Sequence, residues 1–153
     1  EQDFAKGIEY YAKNFSQANI GQVVGEIDPD NIFFHQLAIP GILNVLGKHI
    51  KFIVVLRNPV DRAYSHYLMS TMKGFEDEDF LTAIENEPNR LESANRFQKG
   101  RWSYISRGLY STQLKVWFDN FDPKQFLVLK MDDLIQNPEE FYKTIKNEKS
   151  SMC

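Results

Sequence analysis

Cysteine is almost missing: the one thiol, Cys153, is the last of 153 residues. No internal disulfide can form, a pattern that suits a reducing compartment. Long apolar runs are missing as well. No stretch reaches the about 20 residues that cross a bilayer, and residues 1–20 carry no leader pattern. A basic excess is also absent. Eighteen Lys and Arg stand against 21 Asp and Glu, a net charge of −3, which argues against a nucleic-acid partner. His35, His49 and His66 show no ligand spacing with one another or with the cysteine, so no metal site is expected.

What is present is ordinary in amount and rich in rings. Apolar residues make up 42% and charged residues 25%, as in a soluble globular chain of one domain. Twelve Phe and seven Tyr point to an aromatic core. No internal repeat or low-complexity segment interrupts the sequence. It opens inside a helical pattern at Glu1 and stops in KNEKSSMC, so residues 1–153 are expected to be one partial domain of a longer protein.

Periodicity sets out the elements. Phe4, Ile8, Tyr11 and Phe15 mark one helix face. GQVVGEIDP predicts a short strand ending at Glu26, broken by Asp28-Pro29. Residues 37–47 predict a helix with Pro40 near its start and Gly47 at its end. KFIVVLR at 51–57 predicts a second strand. Its apolar residues do not alternate, which suits a strand of a parallel sheet covered on both faces. Asn58 as N-cap and Pro59 at the first helical position predict a helix from Pro59 to about Met72. Residues 73–101 are charged, with a short helix over about Asp79–Asn86, and the acidic run EDED reads as a solvated face. Tyr110, Leu114, Trp117, Phe118 and Phe121 fall on one helical stripe and are expected in the core. FLVLK at 126–130 predicts a third strand, and Asn137-Pro138-Glu139-Glu140 opens a final helix. Strands alternating with helices imply an α/β fold with a parallel sheet.

In such sheets ligands bind beyond the carboxyl ends of the strands, where Glu26, Arg57 and Lys130 stand. Arg57 runs straight into a helix N-terminus, whose N–H groups and dipole favour an anion. A guanidinium offers a planar fork of donors that matches phosphate oxygens. Ser65, in the second turn of that helix, leans back toward the same place. From spacing alone, pairing of Arg57 with Asp61 or Asp132 is an equal reading. Glu26 as a loop-facing carboxylate and Lys130 as a solvated lysine are the plain alternatives for those two.

KFIVVLRNPVDRAYSHY at 51–67 resembles the 3′-phosphate motif of the sulfotransferase family: a strand ends in Arg-Asn-Pro, and a serine follows eight residues after the arginine. KGIEYYAKNF, VVGEIDPDNIFF and RGLYSTQLKVWFDNFDPKQFLVLKMDDLIQNP are similar to flanking family segments in the same order, over roughly residues 6–146. The resemblance implies a three-layer, P-loop-like parallel sheet flanked by helices. It also implies 3′-phosphoadenosine 5′-phosphosulfate (PAPS) as sulfuryl donor, with no metal. Arg57 and Ser65 would hold the donor's 3′-phosphate. Glu26 matches the carboxylate that takes the acceptor's proton in the heparan-type branch, and His35 is the runner-up base.

The chain also departs from the family pattern. It holds no Gly-Thr-Thr phosphate loop with its lysine, nor the C-terminal loop that closes on the nucleotide, and Ile27 and Asp28 replace the lysine and hydroxyl that follow the glutamate in one branch. Half of a donor site is therefore expected, with this stretch inactive on its own. The acceptor would be a hydroxyl or amine of a small molecule or carbohydrate. A cytoplasmic setting is expected, with the Golgi lumen as alternative. The rival readings are a nucleotide kinase-like enzyme and a non-catalytic domain that keeps the fold.

Overall fold

A computed structural model describes residues 7–150, with side chains through Asn147. It divides into two compact units, Glu1–Gly47 and Lys48–Cys153.

In the first unit, α1 (Gly7–Ala12) continues into a 3-10 turn at Lys13–Phe15. Tyr11 and Phe15 meet edge to face at 5.3 Å, whereas Ile8 is exposed and Phe4 lies outside the described residues. The strand expected before Glu26 does not form: residues 22–28 carry no regular structure. A strand persists only when its backbone groups pair with a neighbour. Here Val23 and Val24 are exposed, and no backbone group of residues 23–28 joins a ladder among the described residues. α2 (His35–Val45) starts two residues before the predicted position and contains Pro40. Gly47, at φ 72°, supplies the left-handed turn just past its end.

The second unit carries the sheet. β1 (Phe52–Leu56) leads to α3 (Pro59–Met72), α4 (Phe80–Ser93), α5 (Arg96–Trp102) and α6 (Tyr110–Asn120). β2 (Phe126–Lys130), α7 (Met131–Gln136) and α8 (Pro138–Ser150) follow. β1 and β2 pair in parallel, with Phe52 opposite Phe126 and Leu56 opposite Lys130. The fold is α/β with helices flanking a parallel sheet, as the alternation implied. The ring stripe of α6 packs as expected. Phe52 stacks on Phe126 at 4.4 Å and meets Phe121 and Trp117 edge to face at 4.8 and 5.3 Å. That packing covers one face of β1 only. Ile53 and Val55 on the other face are 45% and 39% exposed, so the expected cover on both faces is not seen.

Residues 73–102 depart most from expectation. α4 runs past Asn86 to Ser93, and α5 follows, started by a reciprocal capping box between Asn95 and Gln98. The acidic run is a solvated face only in part, with Asp77 and Asp79 exposed and Glu76 buried. Glu76 is 4% exposed; it pairs with Arg90 at 2.8 Å and accepts from the Tyr104 hydroxyl at 2.7 Å. Glu78 also pairs with Arg90, and Asp79 caps α4 through the Leu81 and Thr82 N–H groups. Burial alone would raise the Glu76 carboxyl, but hydrogen bonds from Tyr104 and Arg90 outweigh it and hold the group below the usual carboxylate range. Charge in sequence says nothing of pairing across 14 residues, and pairing is what brought this carboxylate inside.

Candidate anion-binding site at the β1–α3 turn

β1 ends at Leu56, and Arg57 is the first residue beyond it. Asn58 then caps α3, its Oδ1 accepting from the Val60 N–H at 2.9 Å and the Asp61 N–H at 3.5 Å. Pro59, which has no N–H to satisfy, takes the first helical position. The helix starts where the sequence indicated. Its first N–H groups, however, are occupied by the Asn58 side chain and are not free for an anion. The attraction left to the helix is its dipole.

Arg57 and Ser65 are brought together. Arg57 Nη1 donates to Ser65 Oγ at 2.9 Å, and both side chains are exposed. Among the described residues Arg57 forms no ion pair, so the rival pairing with Asp61 or Asp132 is set aside. Four of the five guanidinium N–H donors remain for a ligand. Lys130 is exposed at the end of β2, at the same carboxyl end of the sheet as Arg57.

The two candidate bases lie in the first unit. Glu26 is exposed, in irregular backbone instead of at a strand end, and its Oε2 accepts from the Tyr11 hydroxyl at 2.8 Å. Burial, aided by that carboxylate, pushes the Tyr11 phenol up to about 12. His35 opens α2, and its Nδ1 is buried with no hydrogen-bond partner among the described residues.

Two features at the turn escaped the sequence reading. Burial raises the Tyr110 phenol, against the nearby positive charges of Arg62 and Arg57. Gly108 packs directly on Pro59. The only available signal was RGLY at the head of the α6 stripe, where periodicity shows the ring and hides the hydroxyl.

A strand end that presents a guanidinium and a hydroxyl beside a helix start suits a phosphate-bearing ligand. Residues 28–147 match the Sulfotransferase domain, and the chain belongs to that family. It is 29% identical over 138 residues to mouse heparan sulfate glucosamine 3-O-sulfotransferase 3B1, covering 90% of this chain and 34% of that protein. It is 27% identical to the Caenorhabditis elegans bifunctional heparan sulfate N-deacetylase/N-sulfotransferase 1, over 90% of this chain and 15% of that one. A sulfotransferase from Alicyclobacillus acidocaldarius superposes with a TM-score of 0.73 at 26% identity, over 87% of this chain and 52% of that one. The chain thus spans about a third or less of the length of these curated relatives. The match to the domain begins at Asp28, two residues after Glu26. No helix among the described residues is long and apolar enough to cross a membrane.

Proposed function

We propose that the protein moves a sulfuryl group from PAPS to a hydroxyl or amine of a carbohydrate acceptor, with Arg57 and Ser65 binding the donor's 3′-phosphate. The observation that carries this reading is the Arg57–Ser65 hydrogen bond at the β1–α3 turn. It holds the guanidinium fork in place with its other donors open, and a phosphate dianion can accept from both side chains. The relatives' names supply the acceptor class, since both curated proteins act on heparan sulfate by name.

In this reaction the acceptor oxygen or nitrogen bonds to sulfur as the bond from sulfur to the phosphate oxygen breaks. Adenosine 3′,5′-bisphosphate leaves, and a base takes the acceptor's proton. Glu26 is the base in this reading, and the Tyr11 hydroxyl fixes one of its oxygens, leaving the other to receive the proton. Ile27 and Asp28 offer neither cation nor hydroxyl for the phosphosulfate end, so that grip falls to residues other than these.

The test is titration of adenosine 3′,5′-bisphosphate and adenosine 5′-monophosphate into the full-length protein. Tighter binding of the bisphosphate is expected. No binding at millimolar ligand, or equal affinity for the two, removes the reading.

A further inference from the structure

The segment just before α6, Tyr104–Gly108, is pinned from three helices. Glu87 of α4, only 3% exposed, accepts from the Ile105 N–H at 2.6 Å. It also accepts from the Ser106 N–H and hydroxyl at 2.8 and 2.6 Å. Gln113 of α6 donates to the Ser106 carbonyl at 2.8 Å, and Arg62 of α3 donates to the Tyr104 carbonyl. A buried carboxylate with three donors on it holds a loop firmly, because losing any one leaves charge poorly solvated.

The pinned segment bears on the anion-binding turn at Pro59. A Cβ placed on Gly108 would stand 3.1 Å from Pro59 Cβ and 3.8 Å from its Cα and carbonyl oxygen. Gly108 does not adopt a positive φ, so glycine is needed there for space and not for backbone freedom. The segment thus bears on the residue that follows the Asn58 cap and opens α3.

We propose that Glu87 and Gly108 are positioning residues. They set the place of the Arg57–Asn58–Pro59 turn and through it the preference of the site for a 3′-phosphorylated nucleotide. Neither touches the ligand. The inference rests on the assignment of Arg57 and Ser65 to the 3′-phosphate.

The experiment is the same pair of titrations, in the full-length protein, on wild type, Gly108→Ala, Pro59→Gly and the double variant. An added methyl must displace Pro59 by a few tenths of an ångström. A 1 Å misplacement costs about a hundredfold, so Gly108→Ala should weaken adenosine 3′,5′-bisphosphate roughly three- to tenfold while the 5′-monophosphate changes by less than about twofold. Removing the Pro59 Cβ in the double variant should restore part of the preference relative to Pro59→Gly alone. Glu87→Gln, which keeps the shape but places an amide donor against the N–H of Ile105 or of Ser106, gives the same readout without adding an atom to the contact. Equal loss for both nucleotides, or an unchanged preference in folded Gly108→Ala and Glu87→Gln, overturns the clamp. A wild type that shows no preference removes the 3′-phosphate assignment itself, so the two failures are distinct.

Discussion

Arg57 and Ser65 stand eight residues apart in sequence and 2.9 Å apart across the β1–α3 turn, with the guanidinium as donor and the hydroxyl as acceptor. The separation follows from the elements: the strand ends at Leu56, the helix starts at Pro59, and a side chain in the second turn leans back toward the helix start. The bond leaves the hydroxyl proton free to point at a ligand. Replacing Arg57 by alanine should weaken adenosine 3′,5′-bisphosphate by ~1.5–3 kcal/mol, the usual worth of hydrogen bonds to a charged group, and Ser65→Ala by ~0.5–1.5 kcal/mol. Isothermal titration on both variants checks the order. An unchanged affinity in Arg57→Ala would make the residue structural.

Asn58 contributes to the same turn in a different way. Its Oδ1 serves two helix N–H groups, so Asn58→Ala removes the cap of α3. Stability should fall by about 1 kcal/mol in urea denaturation, the typical cost of losing such a cap. Nucleotide affinity should fall less than in Arg57→Ala, because the freed N–H groups become donors that a phosphate at the helix start could use. A larger affinity loss than that of Arg57→Ala would mean that Asn58 itself contacts the nucleotide.

The turn was legible because every signal in it is local. Asn58 and Pro59 are start signals within two residues of the boundary they set, and the eight-residue gap from Arg57 to Ser65 is fixed by one strand end and two helical turns. The α6 stripe was legible for the same reason, since burial of rings repeats with the helix period. What failed needed partners distant in sequence. Whether VVGE becomes a strand depends on a neighbouring backbone, and none among the described residues pairs with it. Whether Glu76 faces water depends on Arg90 and Tyr104, 14 and 28 residues away. Whether Gly108 is replaceable depends on Pro59, on another helix. Local signals placed the turn, and tertiary pairing decided what packs around it.

Glu76 makes the chain sensitive to acid. Its folded carboxyl sits below the ordinary value of 4.5, so the unfolded chain binds the proton more readily than the native one. The stability it contributes is therefore complete above that ordinary value and is lost as pH falls through the depressed folded one. Glu76→Gln should cost about 3 kcal/mol at neutral pH, the low end for breaking a buried pair, since Arg90 keeps Glu78. The gap between variant and wild type in urea denaturation should close as the solution is acidified below about pH 4, near the unfolded carboxylate value. A gap that stays constant with pH would mean that packing, not charge, holds Glu76.

Glu26 and His35 compete for the role of base, and each makes a distinct prediction. Glu26 has one carboxylate oxygen tied to Tyr11, whereas His35 has a buried Nδ1 with no bond among the described residues. If Glu26 takes the acceptor's proton, Glu26→Gln in the full-length protein should lower kcat by roughly 10²–10⁴, the usual worth of a general base, at unchanged affinity for adenosine 3′,5′-bisphosphate. Tyr11→Phe should then act through Glu26: it frees the second oxygen and should shift the pH profile of kcat while removing little of its height. His35→Asn, by contrast, should leave kcat within about tenfold, well short of the effect of losing a general base. Sulfuryl transfer measured with labelled donor on the three variants decides it. Full activity in Glu26→Gln together with collapse in His35→Asn would move the proton to the histidine and leave Glu26 as the partner of Tyr11 alone.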